Sequence, residues 1–553
     1  MKIVNYAELP NPMRFVGNSI CFFITALTLT VSFNIDAQVN SSLLLNYNKN
    51  SSCDINFPED SGIINVKNHG VAGNGLQDDT QAIQALFDAY AGLNQIFYFP
   101  NGVYLISSGL ELKGNFGFDN IQGQCTDSTI IRLADGTFTN NQNPLPVLRT
   151  KILGSADVFS NEIRNITINV GVNNPGATGL FFMSNNTGTI QDVKIISEDG
   201  QGHRGLDMST ALNGPCLVKN VLVQGFDTGI LSGGDAVNSI VYENITVINQ
   251  NVFGIQNVQQ VVTFRNVLSQ QNNDIPAFVN GNNKNLAQHW FGQMNVINAD
   301  LQYTGTGSGS HSTLAVGNCY FNNVTSSGYD NAAVVMYGNF TGLPDQIYQG
   351  PDFTEWTHTF NNVASEGKFR LFEDSEMFSL GLEVAEIPSV TWDDLDNWLN
   401  VLNYASGNGL TDDTEAIQNA INSMKPGGVN YGKTTLYFPN GSQFLITGTI
   451  EIGGPVLRLM GLKSKIIGND GTLKLVDTNE EDAPVVHIER FSSFGAGNTL
   501  RFEHNSIRVG VISNMGGLKG ITGNGSGDLF IEDCTSWEVR FNNSQQHIWA
   551  RQL

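Results

Sequence analysis

The sequence predicts an all-β chain of tandem right-handed parallel β-helices, each opened by a short capping helix. Two repeats of different length predict it. The long one pairs Asn-Val-Lys-Asn-His-Gly-Val-Ala-Gly-Asn-Gly-Leu-Gln-Asp-Asp-Thr-Gln-Ala-Ile-Gln, from Asn65, with Val-Leu-Asn-Tyr-Ala-Ser-Gly-Asn-Gly-Leu-Thr-Asp-Asp-Thr-Glu-Ala-Ile-Gln, from Val401. Gly75, Asp78, Asp79, Thr80, Ile83 and Gln84 thus return 334 positions later as Gly409, Asp412, Asp413, Thr414, Ile417 and Gln418. The short repeat lies between the copies, where an Asn, or once an Asp, precedes a β-branched strand at positions 165, 192, 220, 244 and 266, spaced 27, 28, 24 and 22 apart. It continues through Asn298, Asn322-Asn323 and Asn361-Asn362. A period in the twenties without amphipathic helices marks stacked β-coils.

At the N-terminus, Ile20–Phe33 is an apolar run of signal-peptide length, too short to span a bilayer comfortably, and Ala37 offers a small residue for cleavage. Residues 1–37 therefore read as a leader, which predicts secretion to an extracellular or periplasmic compartment, and 38–61 as an N-terminal extension. The first β-helix covers 62–380. Its opening plan is strand, Gly-rich turn, helix, strand, with Asp78, Asp79 and Thr80 capping the helix start, where free amides and the helix dipole favour carboxylates. The same Asp-Asp-Thr could be read as paired catalytic carboxylates or a calcium site; its return at both helix starts favours capping. Tyr98-Phe99-Pro100-Asn101-Gly102 returns as Tyr437-Phe438-Pro439-Asn440-Gly441, and Leu105-Ile106 as Leu445-Ile446.

The coils follow over 110–370, about ten at ~25 residues each. Asn suits their turns because it tolerates left-handed backbone and can hydrogen-bond from coil to coil. The apparent sequons at Asn165 and Asn244 are then ladder positions. A linker occupies 381–399, and a second β-helix 400–553, with strands at Val456–Met460, Pro484–Ile488, Leu500–Phe502, Leu529–Glu532 and His547–Leu553. The last strand has no polar cap, so the natural chain is expected to continue. The five cysteines after the leader are too dispersed for a zinc site; they read as buried small hydrophobes with room for one unassigned disulfide.

These quoted residues resemble the pectate-lyase-like superfamily, in its rhamnogalacturonase/epimerase-type branch, and the paired layout is similar to the exo-β-1,3-glucanases built as two β-helices. The resemblance implies an exported protein that binds or cuts polysaccharide. Lys and Arg total 28 against 51 Asp and Glu, a net charge of −23. That field opposes a nucleic-acid or membrane-surface partner, and an acidic polymer would need a local basic subsite or a bridging cation. The leading expectation is hydrolysis of a neutral or weakly charged glycan, without a certain cofactor. The rivals are a calcium-dependent uronate lyase and a non-catalytic glycan-binding or structural surface protein.

Glycosidic cleavage needs an acid for the leaving oxygen and a carboxylate or its equivalent for water. The densest polar cluster runs from Asp199 through His203, Arg204 and Asp207, with Asp227 one coil on and then Asp235. His203, Arg204, Asp207, Asp227 and Asp235 are the candidate catalytic residues, supplying base, clamp and acid; β-arc turns use the same Gly-x-Asp patterns. Trp290 is a candidate for stacking a sugar, and Glu532 and Asp533 are candidate loop carboxylates for substrate binding. The polygalacturonase motif set is absent. Where the paired-helix glucanases hold water with a Gln and a Ser, this chain carries Met183 and the stretch Ala211–Asn213, and their general-acid Glu would fall beyond Leu553.

Overall fold

The computed structural model describes residues 53–553 apart from 151–156, 235–238, 282–291, 316, 336–345, 349–351, 361–367, 370–384, 389, 391, 478–481, 493–496, 505–507 and 543–546. Two parallel β-helices make up one compact unit. The first stacks short strands into a fifteen-stranded and a ten-stranded sheet, the second into sheets of seven, three and five strands. Each encloses its own apolar core. Among the described residues, no helix is long and apolar enough to cross a membrane.

Each copy opens as its sequence repeat requires. The helix Thr80–Ala89 lays Ile83, Leu86 and Phe87 over the open end of the first core, with Phe87 4.8 Å from Phe97. The helix Thr414–Met424 does the same with Ile417, Ala420, Ile421 and Met424. Capping is divided differently from the expectation. Asp78 and Asp412 accept the amides of Thr80 (2.9 Å) and Thr414 (3.0 Å). Asp79 and Asp413 are buried and turn back to the Gly-rich loop, where Asp79 accepts from Ala72 and Gly73 and Asp413 from Ser406 and Gly407. These carboxylate oxygens hold the chain's own N–H groups, which explains why both acids recur. Gln84 and Gln418 then clamp the backbone of Glu111 and Glu451 from both sides.

The Asn column forms as predicted. Asp192, Asn220, Asn244, Asn266, Asn298 and Asn323 all have φ between 52° and 59°. Asn220 donates to Asp192 (2.8 Å), Asn244 to Asn220 (2.8 Å), Asn266 to Asn244 (3.0 Å), Asn298 to Asn266 (3.2 Å) and Asn323 to Asn298 (2.8 Å). The next residue on each coil points inward, giving the buried column Val193, Val221, Ile245, Val267, Ala299 and Val324 in direct register. Asn165 accepts from Gln122 at the start of the column. Asn361 and Asn362 lie outside the described residues.

The coil count differs from the expected ten. Eight successive strands of the main sheet path, from Asn120–Gly123 to Asn318–Ser327, run parallel. Asp352–Phe360 and Gln346–Tyr348 then pair antiparallel on the last coil. An antiparallel flap covers strand edges that another coil would otherwise have to cover. Cys53 and Cys125 form a disulfide, while Cys216, Cys319 and Cys534 are buried thiols.

The buried Asn220 tests the column. Asn220→Ala loses two side-chain hydrogen bonds, each worth about 1 kcal/mol, and strains a left-handed backbone by about 1–2 kcal/mol, so unfolding stability should fall by about 3–4 kcal/mol. Asn220→Gly removes the strain and should recover part of that loss in denaturant unfolding; equal losses would discount the backbone contribution.

Candidate functional site

The second β-helix lies alongside the first, coil against coil, and the seam between them is polar. The left-handed turn column recurs in the second helix at Lys463, Arg490, Asn514, Asp533 and Gln552, with φ from 44° to 63°. Here the side chains reach across to the neighbouring helix. Lys463 and Arg490 pair with the buried Glu162 at 2.7 and 2.9 Å. Asp533 accepts from the Gly188 amide (3.0 Å), the Thr189 hydroxyl (2.6 Å) and the Asn514 amide (2.8 Å). Gln552 donates to Ser239. Beside this column, Lys219 meets Glu532 at 2.6 Å and Arg551 meets Glu243 at 2.5 Å.

Burial alone would raise the carboxyl of Glu162, but Lys463, Arg490 and Arg164 outweigh it and hold it at about 2. Glu243 is likewise desolvated yet held at about 2 by Lys219, Arg265 and Arg551. Burial presses Lys463 down to about 8 against the pull of Glu162, leaving the pair ionic at neutral pH. Asp533 lacks a cation in contact, and desolvation pushes it up to about 6. Glu532 and Asp533 are therefore strand residues, within Asp528–Ser536, and not the loop residues expected; Glu532 pairs with Lys219 and Asp533 accepts from Thr189.

On one side the seam opens into a groove of 840 Å³. Phe118, Phe159 and Ser160 come from the first helix, and Ser442, Lys465 and Trp537 from the second. Trp537 is 85% exposed, and its indole stands at the groove with no packing role. Phe118 and Phe159 contact each other at 6.2 Å. Ser160 and Thr187 join their hydroxyls across two coils at 2.6 Å. Lys465 has no ion pair among the described residues and leaves its ammonium to the groove. No carboxylate is among the described lining residues. Asp119 is buried immediately behind Phe118, accepts from the amides of Gly114 (2.9 Å) and Gly92 (3.4 Å), and is pushed up to about 6 by desolvation. It fastens the groove wall. Rings flanked by hydroxyls, amides and two lysines, of which Lys463 is paired with Glu162, suit a hydroxylated ligand with apolar ring faces.

The predicted cluster lies in the ten-stranded sheet, away from these groove walls. His203, Arg204 and Asp207 share the strand Gly202–Met208, and Asp227 lies on the neighbouring strand Phe226–Gly233. The register pairs Gly202 with Phe226 and Arg204 with Thr228, which sets His203 beside Asp227. His203 is half-buried, and desolvation, then the adjacent Arg204, lowers its pKa. Asp207 is buried and spoken for: it pairs with Arg204 at 2.6 Å and accepts the amide and hydroxyl of Ser209. Four of the five candidates thus come together, with Asp207 acting as an internal tie. Asp235 and Trp290 lie outside the described residues. For metal ligands, Cys53, Cys125 and Asp127 approach one another among the described residues, but the two sulfurs are bonded to each other.

Residues 63–277 match the family model described as rhamnogalacturonase A/epimerase, pectate lyase-like. Over that stretch, most of the first β-helix, the chain is similar to pectate-lyase-like proteins. A probable glucan endo-1,3-beta-glucosidase of Arthroderma benhamiae is 36% identical over 86 residues, 16% of this chain and 9% of that protein. Mannuronan C5-epimerase AlgE2 of Azotobacter vinelandii is 41% identical over 80 residues, 13% of this chain and 8% of the epimerase. The matches thus span less than a tenth of either relative. Among solved structures, the A-module of the Azotobacter vinelandii mannuronan C-5 epimerase AlgE6 overlaps 88% of this chain and 99% of its own, at 12% identity and a TM-score of 0.36.

The seam carries a pH signature. The folded Glu162 carboxyl titrates at about 2 instead of 4.5, so the stability it supplies is complete above pH 4.5 and is lost as the pH falls toward 2. Glu162→Gln strands Lys463 and Arg490 without their anion and should cost about 3–5 kcal/mol at neutral pH. Urea unfolding across that acid range should show a shallower pH slope in the variant; an unchanged slope would remove Glu162 from the account.

Proposed function

We propose that this is an exported polysaccharide-active protein whose reaction class is glycoside hydrolysis of a glucan, and that the groove between its two β-helices holds the glycan, its described lining residues supplying binding groups and no carboxylate. The observation that carries the reading is the exposed Trp537 beside Phe118 and Phe159 in an 840 Å³ groove rimmed by hydroxyl groups. Glucosidase relatives support the reaction class, and the Cys53–Cys125 disulfide supports an oxidising compartment.

A second reading rests on the other sheet. His203, kept neutral by burial, stands beside Asp227 with Arg204 next to it, a base with a neighbouring cation for a uronate. Proton abstraction beside a carboxylate, the opening step of elimination or epimerisation, asks for such a pair. Calcium belongs to this reading alone; Asp227 is its half-exposed acid, because Asp207 is already held by Arg204 and Ser209.

Incubation with laminarin, pectate and alginate, with and without chelator, separates these readings. New reducing ends without ultraviolet absorbance select hydrolysis. Unsaturated absorbance lost on chelation selects the lyase, and altered uronate stereochemistry without cleavage selects epimerisation. Silence on every polymer would sink the catalytic claim for these substrates and leave glycan binding. Stacking on an aromatic platform is worth about 0.5–1.5 kcal/mol, so Trp537→Ala should weaken laminari-oligosaccharide binding roughly 3–10-fold, read by calorimetry, with the melting temperature unchanged.

A further inference from the structure

A second concavity, of 350 Å³, lies on the second β-helix and is lined by Arg501, Thr522, Gly523, Asn524, Arg540 and Asn542. Arg501, Thr522 and Arg540 are in direct register on three successive coils. At about 4.8 Å per coil the two guanidiniums are rooted about 10 Å apart, with a hydroxyl midway between them. Each arginine engages one carboxylate two residues away, just outside its strand, Glu503 at 2.6 Å and Glu538 at 3.2 Å. Glu503 also serves Lys474 at 2.6 Å, so one carboxylate is shared by two cations. A guanidinium has five N–H donors, and a single carboxylate leaves most of them unused. The lining therefore holds two cations, two amides and a hydroxyl, with no acid, on a chain whose net charge is −23.

We propose that this concavity is a binding site for an acidic saccharide. Arg501 and Arg540 take two anionic groups, carboxylates or sulfate esters, of neighbouring sugar units, and Thr522, Asn524 and Asn542 take the intervening hydroxyls. The planar fork of arginine suits both oxyanions, and the coil spacing fixes how far apart they must be. A protein so acidic repels a polyanion over most of its surface. A local pair of arginines gives such a glycan one place to settle, independent of the groove at Trp537.

The test uses the full chain and titration calorimetry with three probes: an oligogalacturonate, a sulfated galactan oligosaccharide and a neutral laminari-oligosaccharide. At least one acidic probe should bind, more weakly as NaCl is raised, and which one binds separates carboxylate from sulfate recognition. Arg501→Gln/Arg540→Gln should weaken that binding by at least about tenfold, since both charge-assisted contacts are lost. Asn542→Asp, which keeps both arginine ion pairs and adds a carboxylate to the lining, should weaken it similarly. Trp537→Ala should leave it unchanged, which keeps this site distinct from the groove. Acidic-probe binding equal to the parent chain in both arginine and Asn542 variants, or no binding of either acidic probe to the parent chain, overturns the proposal.

Discussion

Every coil of this protein has to turn its backbone through a left-handed residue while keeping its polar groups satisfied. In the first helix the answer is Asn at every coil from Asn220 to Asn323, after Asp192. Asn meets the φ requirement, donates one bond to the coil before and accepts one from the coil after, and the β-branched residue that follows enters the core. In the second helix the same column is occupied by Lys463, Arg490, Asn514, Asp533 and Gln552. The steric demand is unchanged, but the polar ends now serve the neighbouring helix. One backbone constraint thus builds both the stack and the seam.

The seam is a poor place for charge unless each charge is met. Desolvation raises the cost of every ion there, and Glu162 with Lys463 and Arg490, or Glu243 with Lys219, Arg265 and Arg551, is tolerable only because opposite charges touch. Such pairs specify alignment more than they add stability. The linker is held by the same logic: Arg265 grips Glu386 at 2.7 Å, Arg551 donates to the Ala385 carbonyl, and Arg458 donates to the Val390 carbonyl and covers the Trp392 ring. A small apolar patch of Ile96, Trp398, Tyr437, Met460 and Leu462, with Phe57 and Trp392 against it, anchors the start of the seam.

The fold was legible because its signals are local and periodic. Asn before a β-branched residue, repeated in the twenties, reports a turn and an inward side chain on one coil, and the Asp-Asp-Thr-x-Ala-Ile-Gln repeat reports the opening of each helix. The end of the stack was not legible: pairing sense depends on how a strand returns, and Asp352–Phe360 carries no composition that separates a flap from another coil. The site was read only in part. Local crowding found His203, Arg204 and Asp207, which are neighbours in sequence, but the groove is assembled from two sets of residues that lie 254 or more positions apart, from Thr187 to Gly441 at the least. Glu532 and Asp533 lie close to Trp537 in sequence, yet in space the acids face the seam and the indole faces the groove. One clue was present, since charged residues stand in the second helix where the first has Asn.

The seam's long reach also bears on how the chain acquires its structure. Its contacts join residues from 308 positions apart, at Glu243–Arg551, to 379 apart, at Ser61–Asn440. Coil-on-coil contacts within each helix close loops of only a few dozen residues, so each stack can zip up locally, whereas the seam waits for both. During synthesis Glu162 and Lys219 therefore emerge long before their partners and stay hydrated on a finished surface. The second helix grows against a rail of charges already set at the spacing of its own coils, and the groove comes into being last.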